Sequence, residues 1–289
     1  MSSDNILDKV KKLRELTGVG FKDCKNAIDQ NNGDIEKSIE FLRKKGIAKA
    51  NKKMERIAAE GLVSLSEDKN SYSMIEINCE TDFVAKNNEF IKFVEDVSAI
   101  TLKNIGKMDK ILESEMKNKK KVKDNLVTLI SKIGEKITIR RSDYVSSKSL
   151  VNFSYVHSAV KENLGKIGVV ISLKTNKKNN EIMNFGKQLA MQVAALSPIS
   201  IEEKGLDKNI IEKEKEIIIE ELKNNGKKPE ISNKIAEGKL KKFIEENTLL
   251  NQDWVMDPKK KVKDVLKEVA GNNKIEVIKF IRFKVGEGV

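Results

Sequence analysis

The hydrophobic period of this chain changes near residue 60, and that change constrains the fold more than any other feature. From Ile6 to Lys45 apolar residues recur at helical spacing. Ile6, Val10, Leu13 and Leu16 share one face, Thr17-Gly18-Val19-Gly20 interrupts it, and Ala27 and Ile28 mark a second helix. Asn31-Asn32-Gly33 closes that helix, and Asp34 caps a third carrying Ile35, Ile39 and Leu42. Lys37 stands where a capping box needs glutamate or glutamine, so the box is absent. Beyond residue 60 the pattern alternates. A chain with both periods reads as α+β, with a small helical module ahead of a sheet-bearing core.

Gly61 to Ser66 and Ser73 to Cys79 read as a hairpin across the turn Glu67 to Ser71, with Leu62, Leu65, Ile75 and Ile77 as apolar members. Thr81 and Asp82 end the second strand. The helix that follows buries Phe90, Phe93, Val94 and Val97, and further helical segments run from Ile111 to Lys117 and from Val122 to Ile133. A second alternating section begins at Lys136 and continues through Val151 to Val156 and Lys166 to Leu173. It leads into a helix with Phe185, Leu189, Val193 and Leu196 on its stripe. Asn87-Asn88-Glu89 and Asn179-Asn180-Glu181 occupy similar places in the two stretches, which reads as two related α+β subdomains with antiparallel strands.

Leu206 to Asn225 and Glu230 to Asn247 carry a narrow apolar stripe on charged surfaces and meet at Gly226-Lys227-Lys228-Pro229, the pattern of an antiparallel helical hairpin in solvent. Lys274 to Val285 alternates as a last strand. The expected organisation is a three-helix module (1–46), a basic linker (47–59) with a helical pattern in Lys44 to Arg56, and an N-terminal core subdomain (60–145). A C-terminal core subdomain (146–205 and 249–289) then surrounds a coiled-coil hairpin (206–248).

Composition narrows the function. Lys and Arg number 56 against 44 Asp and Glu, a net charge of +12 that raises nucleic acid as a partner. Lysine is spread along the whole chain and interleaved with glutamate, and aromatics are only 5%, which reads as solvated surface rather than a groove of stacking platforms. The longest apolar stretches fall short of the roughly 20 residues a bilayer span needs. The N-terminus, MSSDNILDKV, has neither an apolar signal core nor an Arg-rich presequence, and a cytoplasmic location is expected. Cys24 and Cys79 belong to no CxxC and read as small buried hydrophobes.

Enzyme motifs find no footing. No GxxxxGK[ST] occurs, and Gly18 to Asp23 misses the dinucleotide pattern because Asp23 replaces its last glycine. The single histidine, His157, has no GxSxG near it, and the carboxylates form no HExxH or DxDxDG set, so neither catalysis nor a cofactor or metal is expected. What resists a bland account is Cys79-Glu80-Thr81-Asp82-Phe83-Val84-Ala85-Lys86, where a phenylalanine follows a Thr-Asp capping pair. Phe83 either folds back as a staple or stands outward.

That segment, together with Leu13 to Gly20, Asp23-Cys24-Lys25, Asn32 to Glu36, Lys132-Ile133-Gly134-Glu135, Ile139-Arg140-Arg141, Lys166 to Val169, Ala190 to Ala195, Ile281-Arg282-Phe283 and Val285 to Gly288, resembles the elongation factor Ts family. Its members exchange guanine nucleotide on elongation factor Tu. The resemblance implies a ubiquitin-associated-like first module and a partner, elongation factor Tu, met both GDP-bound and nucleotide-free. It implies that Thr81, Asp82, Phe83 and Val84 dislodge the partner's Mg²⁺, and that Arg14, Phe21 and His157 make further contacts. Lys22 stands where the family often has a hydrophobic contact residue, and Ser158 to Gly165 is longer than the family's turn. The rival reading is a basic RNA- or ribosome-associated binding protein.

Overall fold

The computed structural model describes residues 3–53, 55–69, 71–146, 149–176, 179–224 and 229–289. Three helices come first: α1 (Ser3–Thr17), α2 (Phe21–Gln30) and α3 (Ile35–Lys53). Their facing sides bury Val10, Leu13, Cys24, Ala27, Ile28 and Leu42 in one small core. Asp34 caps α3 as expected, its Oδ1 accepting from the Lys37 amide at 3.0 Å. Leu16 departs from the expected face and is exposed, because α1 ends one residue later and its last turn overhangs the core. The basic stretch after Lys44 continues α3 as far as Lys53.

Strands β1 (Glu60–Asp68) and β2 (Ser71–Cys79) pair antiparallel from Glu60↔Cys79 to Asp68↔Ser71. The ladder thus runs deeper into the connection than the expected turn of Glu67 to Ser71, of which Asn70 lies outside the described residues. Helices α4 (Asp82–Ala85), α5 (Asn88–Lys103), α6 (Met108–Glu113) and α7 (Val122–Ile133) follow, then β3 (Ile137–Ser146). The segment expected as helical to Lys117 ends at Glu113. Ser114 turns extended, and residues 115–121 close on themselves through the Met116 amide to the Lys120 carbonyl, with Lys119 left-handed.

Next come β4 (Val151–His157), β5 (Leu164–Gly165), β6 (Ile167–Thr175) and α8 (Asn180–Leu196). Helices α9 (Lys208–Asn224) and α10 (Pro229–Asn247) form the hairpin around Ile218, Leu222 and Ala236; the junction residues 226–228 lie outside the described residues. The short β7 (Asp253–Trp254) and β8 (Asp257–Lys261), α11 (Val262–Ala270) and β9 (Ile275–Lys284) complete the chain.

The strands divide into a sheet of order β3-β2-β1-β5, another of order β4-β6-β9 and a small pair β7-β8. Val63, Leu65, Met74 and Val145 of the first sheet pack with Val170, Ile281 and Phe283 of the second, so an apolar layer joins the two. The outer face of the first sheet carries the core shared with α5, α6 and α7, and that of the second is covered by α8 and α11. Strands β1, β2 and β6 are therefore buried on both faces, which explains why Leu62 and Leu65, an odd number of residues apart, are both core. The alternating stretch from residue 136 is split between the sheets: β3 pairs with β2, and β4 with β6.

Both Asn-Asn-Glu segments cap helices, Asn87 accepting from the Glu89 and Phe90 amides and Asn179 from that of Ile182. On α8, Phe185, Leu189 and Val193 are buried as expected, but Leu196 is exposed, since the helix ends there and left-handed Ser197 turns the chain away. Helix α11 and the Trp254 ring, stacked 5.7 Å from Phe185, fall in a stretch the sequence reading passed over. Among the described residues no helix is long and apolar enough to cross a membrane.

Candidate functional site

The site is built where β2 runs out. Cys79 is its last residue, paired with Glu60 on one side and Ile137 on the other. Thr81 is extended and caps α4, its Oγ1 accepting from the Val84 amide at 3.4 Å. Four residues make about one turn, in which successive side chains point roughly 100° apart. Val84 and Ala85 face inward and join the large core, while Phe83 is thrown outward and is 80% exposed. The inward staple is thus not adopted. Burying a phenylalanine side chain is worth about 1.5–3 kcal/mol, a gain the fold itself does not take at Phe83.

Asp82 lies beside Phe83 and pairs with Lys86 at 2.7 Å. The Lys86 hydrogen bond holds the Asp82 carboxyl below its ordinary range, and the same bond raises the Lys86 ammonium. The finger therefore presents an aromatic ring and an anion fixed by its own counter-ion.

Two side-chain bridges secure the backbone beneath it. Glu135 Oε1 accepts from Thr81 Oγ1 at 2.7 Å, and its Oε2 accepts from the Thr81 amide at 3.1 Å. In return, Glu80 Oε1 accepts from the Lys136 amide at 2.5 Å and meets Arg56 at 3.2 Å. Gly134, left-handed at φ +89°, ends α7 and aims Glu135 back at the finger. Lys166 closes the near side, its Nζ bonded to Glu60 Oε2 at 2.6 Å and to the Gly61 carbonyl at 3.0 Å, and its charge helps keep Asp82 ionised.

Of the remaining expected contact residues, His157 ends β4 on the exposed surface, with Nδ1 3.1 Å from the Tyr155 hydroxyl. It shares the finger's end of the molecule, since its carbonyl accepts from the Lys166 amide at 3.1 Å. The longer loop after it carries β5, which pairs with β1 before Lys166 leads into β6. Arg14 and Phe21 are exposed on the first module, on either side of its Thr17 to Gly20 turn. That turn rests against Lys132, three residues before Glu135, with Lys132 itself bonded to Glu89 at 2.6 Å. A groove of about 490 Å³ runs between exposed Leu16 and the core residues Phe93 and Leu129. A second groove, about 590 Å³ between residues 199–205 and β9, is lined by none of the finger residues.

Glu80, Glu135 and Lys166 fall in motif segments singled out in the sequence, which gave none of them a supporting role; at Glu135 the local signal is an acid directly after a helix-ending glycine, Gly134-Glu135. Both cysteines are buried, and burial pushes Cys79 up to about 12, so neither is a nucleophile. Among the described residues no cluster of three or more His, Cys, Asp or Glu side chains is placed to hold a metal ion. What the arrangement offers is an apolar wedge on a rigid mount.

The sequence profile of the family described as Elongation factor TS matches residues 80–287. The chain is 41% identical over 283 residues to "Elongation factor Ts" of Xanthobacter autotrophicus, covering 97% of this chain and 92% of that one. It is 42% identical over 283 residues to the protein of the same name from Azorhizobium caulinodans, with the same coverage. The Bartonella henselae protein of that name is 41% identical over 286 residues, again covering 97% and 92%.

Proposed function

Because the chain belongs to the elongation factor Ts family and is thus a translation elongation factor, we propose that it is the guanine-nucleotide exchange factor of elongation factor Tu. It acts by protein contact in the cytoplasm, without catalysing a covalent reaction. The observation that carries this reading is Phe83, 80% exposed on a turn anchored from below by Val84 and Ala85.

In a GTPase the bound Mg²⁺ bridges phosphate oxygens and neutralises their charge, so disturbing the groups around it weakens GDP without touching GDP. Phe83 enters the partner as a wedge, Asp82 supplies a polar contact beside it, Thr81 caps the turn, and Val84 fixes the turn to the core. Arg14, Phe21 and His157 extend the contact over the first module and the end of β4. The partner is met with GDP bound and is left nucleotide-free until GTP binds.

Linkage makes the process reversible: a factor that weakens GDP is itself weakened by GDP in the same ratio. A thousandfold loosening needs about 4 kcal/mol. One aromatic supplies about 1.5–3 kcal/mol, so the further contacts are required.

The positive surplus acts on encounter rather than on phosphate binding. Many surface lysines are already paired, among them Lys44 with Glu40, Lys121 and Lys123 with Glu113, and Lys239 with Glu221. Such pairs leave the net charge unchanged but make the surface one of mixed sign rather than a basic groove, which favours exchange over the RNA-associated reading. The test is stopped-flow release of a fluorescent GDP from elongation factor Tu: the wild-type protein accelerates it, and an unchanged release rate would overturn the assignment.

A further inference from the structure

We propose that Glu135 is a positioning residue for exchange, which acts through Thr81 to set the direction in which Phe83 projects; this rests on the exchange reading above. An isolated helical turn has no stability of its own, because nucleation costs more than one hydrogen bond returns. The aim of Phe83 is therefore imposed by whatever holds the two ends of α4. Val84 and Ala85 pin one end by burial. At the other end the burden falls on Thr81.

A threonine hydroxyl has one proton to donate and two lone pairs. Glu135 Oε1 takes that proton at 2.7 Å, which turns a lone pair of Oγ1 towards the Val84 amide 3.4 Å away. Oε2 takes the Thr81 amide at 3.1 Å, so the residue is gripped at two points and its rotamer is fixed. A short relay results, from Glu135 through Thr81 to the amide of the residue after Phe83.

The grip stands where the backbone ladder stops. Cys79↔Ile137 is the last β2–β3 pair, and beyond it the two chains stay joined by side chains: Glu135 reaches Thr81 while Glu80 reaches the Lys136 amide. This reciprocal cross-link fixes the register between the finger and the end of α7. Both of the donors from Thr81 need an acceptor, which a carboxylate supplies with two oxygens.

The test is a double-mutant cycle read by GDP release from elongation factor Tu at saturating factor, with the wild type, Glu135→Ala, Phe83→Ala and the double variant. Losing a charged hydrogen-bonded grip should slow release about tenfold. If Glu135 acts only through Phe83, adding Glu135→Ala to Phe83→Ala changes the rate less than about twofold. A full tenfold loss on the Phe83→Ala background, or a Glu135→Ala rate equal to wild type, overturns the proposal.

Hydrogen exchange on the free protein decides the structural half. The Ala85 and Lys86 amides, bonded to the carbonyls of Thr81 and Asp82, should lose protection in Glu135→Ala while those of β2 keep theirs; unchanged protection overturns the relay. Failure of the exchange reading has a different signature: wild-type protein that does not accelerate release, or Phe83→Ala that matches it.

Discussion

Gly286 donates its backbone N–H to the buried carboxylate of Glu76 at 2.9 Å, tying the tail that follows β9 to the middle of β2 in the other sheet. Glu76 also receives Arg140 at 2.9 Å and Arg141 at 2.5 Å. Neighbours on a strand ordinarily point to opposite faces. Here the β2–β3 register shifts between Glu76 and Ile77, leaving Arg140 as an extra residue, and the bulge brings both guanidinium groups to one carboxylate. Arg141 then lies over the Phe283 ring at 4.4 Å.

Glu76→Ala should therefore cost about 2–4 kcal/mol of unfolding free energy, because it removes the buried acceptor of two guanidinium groups and of the Gly286 N–H, leaving the arginines only their contacts with Glu287 and the Lys284 carbonyl. The cost stays below the top of the usual range since the Arg140 and Arg141 side chains are 23% and 32% exposed. Urea unfolding measures it, and a wild-type midpoint would show that the sheets are joined by the apolar layer alone.

Gly286→Ala tests the same junction from the tail. Gly286 is left-handed at φ +73°, and a Cβ there would sit 2.1 Å from the Ala59 carbonyl oxygen. Strain and collision together should destabilise by about 2–4 kcal/mol. Thermal unfolding of this variant beside Gly288→Ala, whose Cβ would meet nothing closer than Arg140 Nη2 at 3.8 Å, separates collision from backbone strain: Gly288→Ala should lose less.

The thiols should be silent in the native state. Cys24 and Cys79 are buried, and burial raises both, Cys79 to about 12. Near pH 8 both are neutral and shielded, so a thiol reagent should label neither until denaturant is added. Rapid native labelling of Cys79 would mean that the end of β2 opens readily.

The Asp82–Lys86 pair gives the finger a defined acid response. Its folded-state carboxyl is lowered, chiefly by the Lys86 hydrogen bond. A depressed carboxylate contributes stability that is present above the unfolded pKa and lost as pH falls through the folded one. An NMR titration of Asp82 should show a midpoint below the ordinary aspartate range, moving up in Lys86→Gln. A midpoint that does not move would assign the shift to other charges.

Local features of this fold were legible because their causes are local. Asp34 caps the helix it precedes, and Phe90, Phe93, Phe185 and Leu189 are buried at the spacing that marks them. The order of strands within each sheet was not legible, since the strands alternate alike and only distant partners decide it. At the site, Thr81 to Val84 stood out as a motif, yet the carboxylate that grips Thr81 belongs to Glu135, which is 54 residues away. Helix α11 was legible in principle: Val262, Val265, Leu266 and Val269 carry helical spacing over one short segment.

Phe83 and Val84 adjoin in sequence and should separate stability from function. Phe83→Ala removes a side chain that is 80% exposed, so unfolding free energy should stay within about 0.5 kcal/mol of wild type. Val84→Ala deletes buried methyl groups from a position only 8% exposed and should cost about 1–3 kcal/mol. GDP release should respond in the opposite order, with Phe83→Ala losing most of its acceleration at full stability. Urea unfolding and stopped-flow release on the same samples check both. A Phe83→Ala protein that is destabilised by 2 kcal/mol or more, against a limit of about 0.5 for a free surface side chain, would mean that the ring folds back onto its own core.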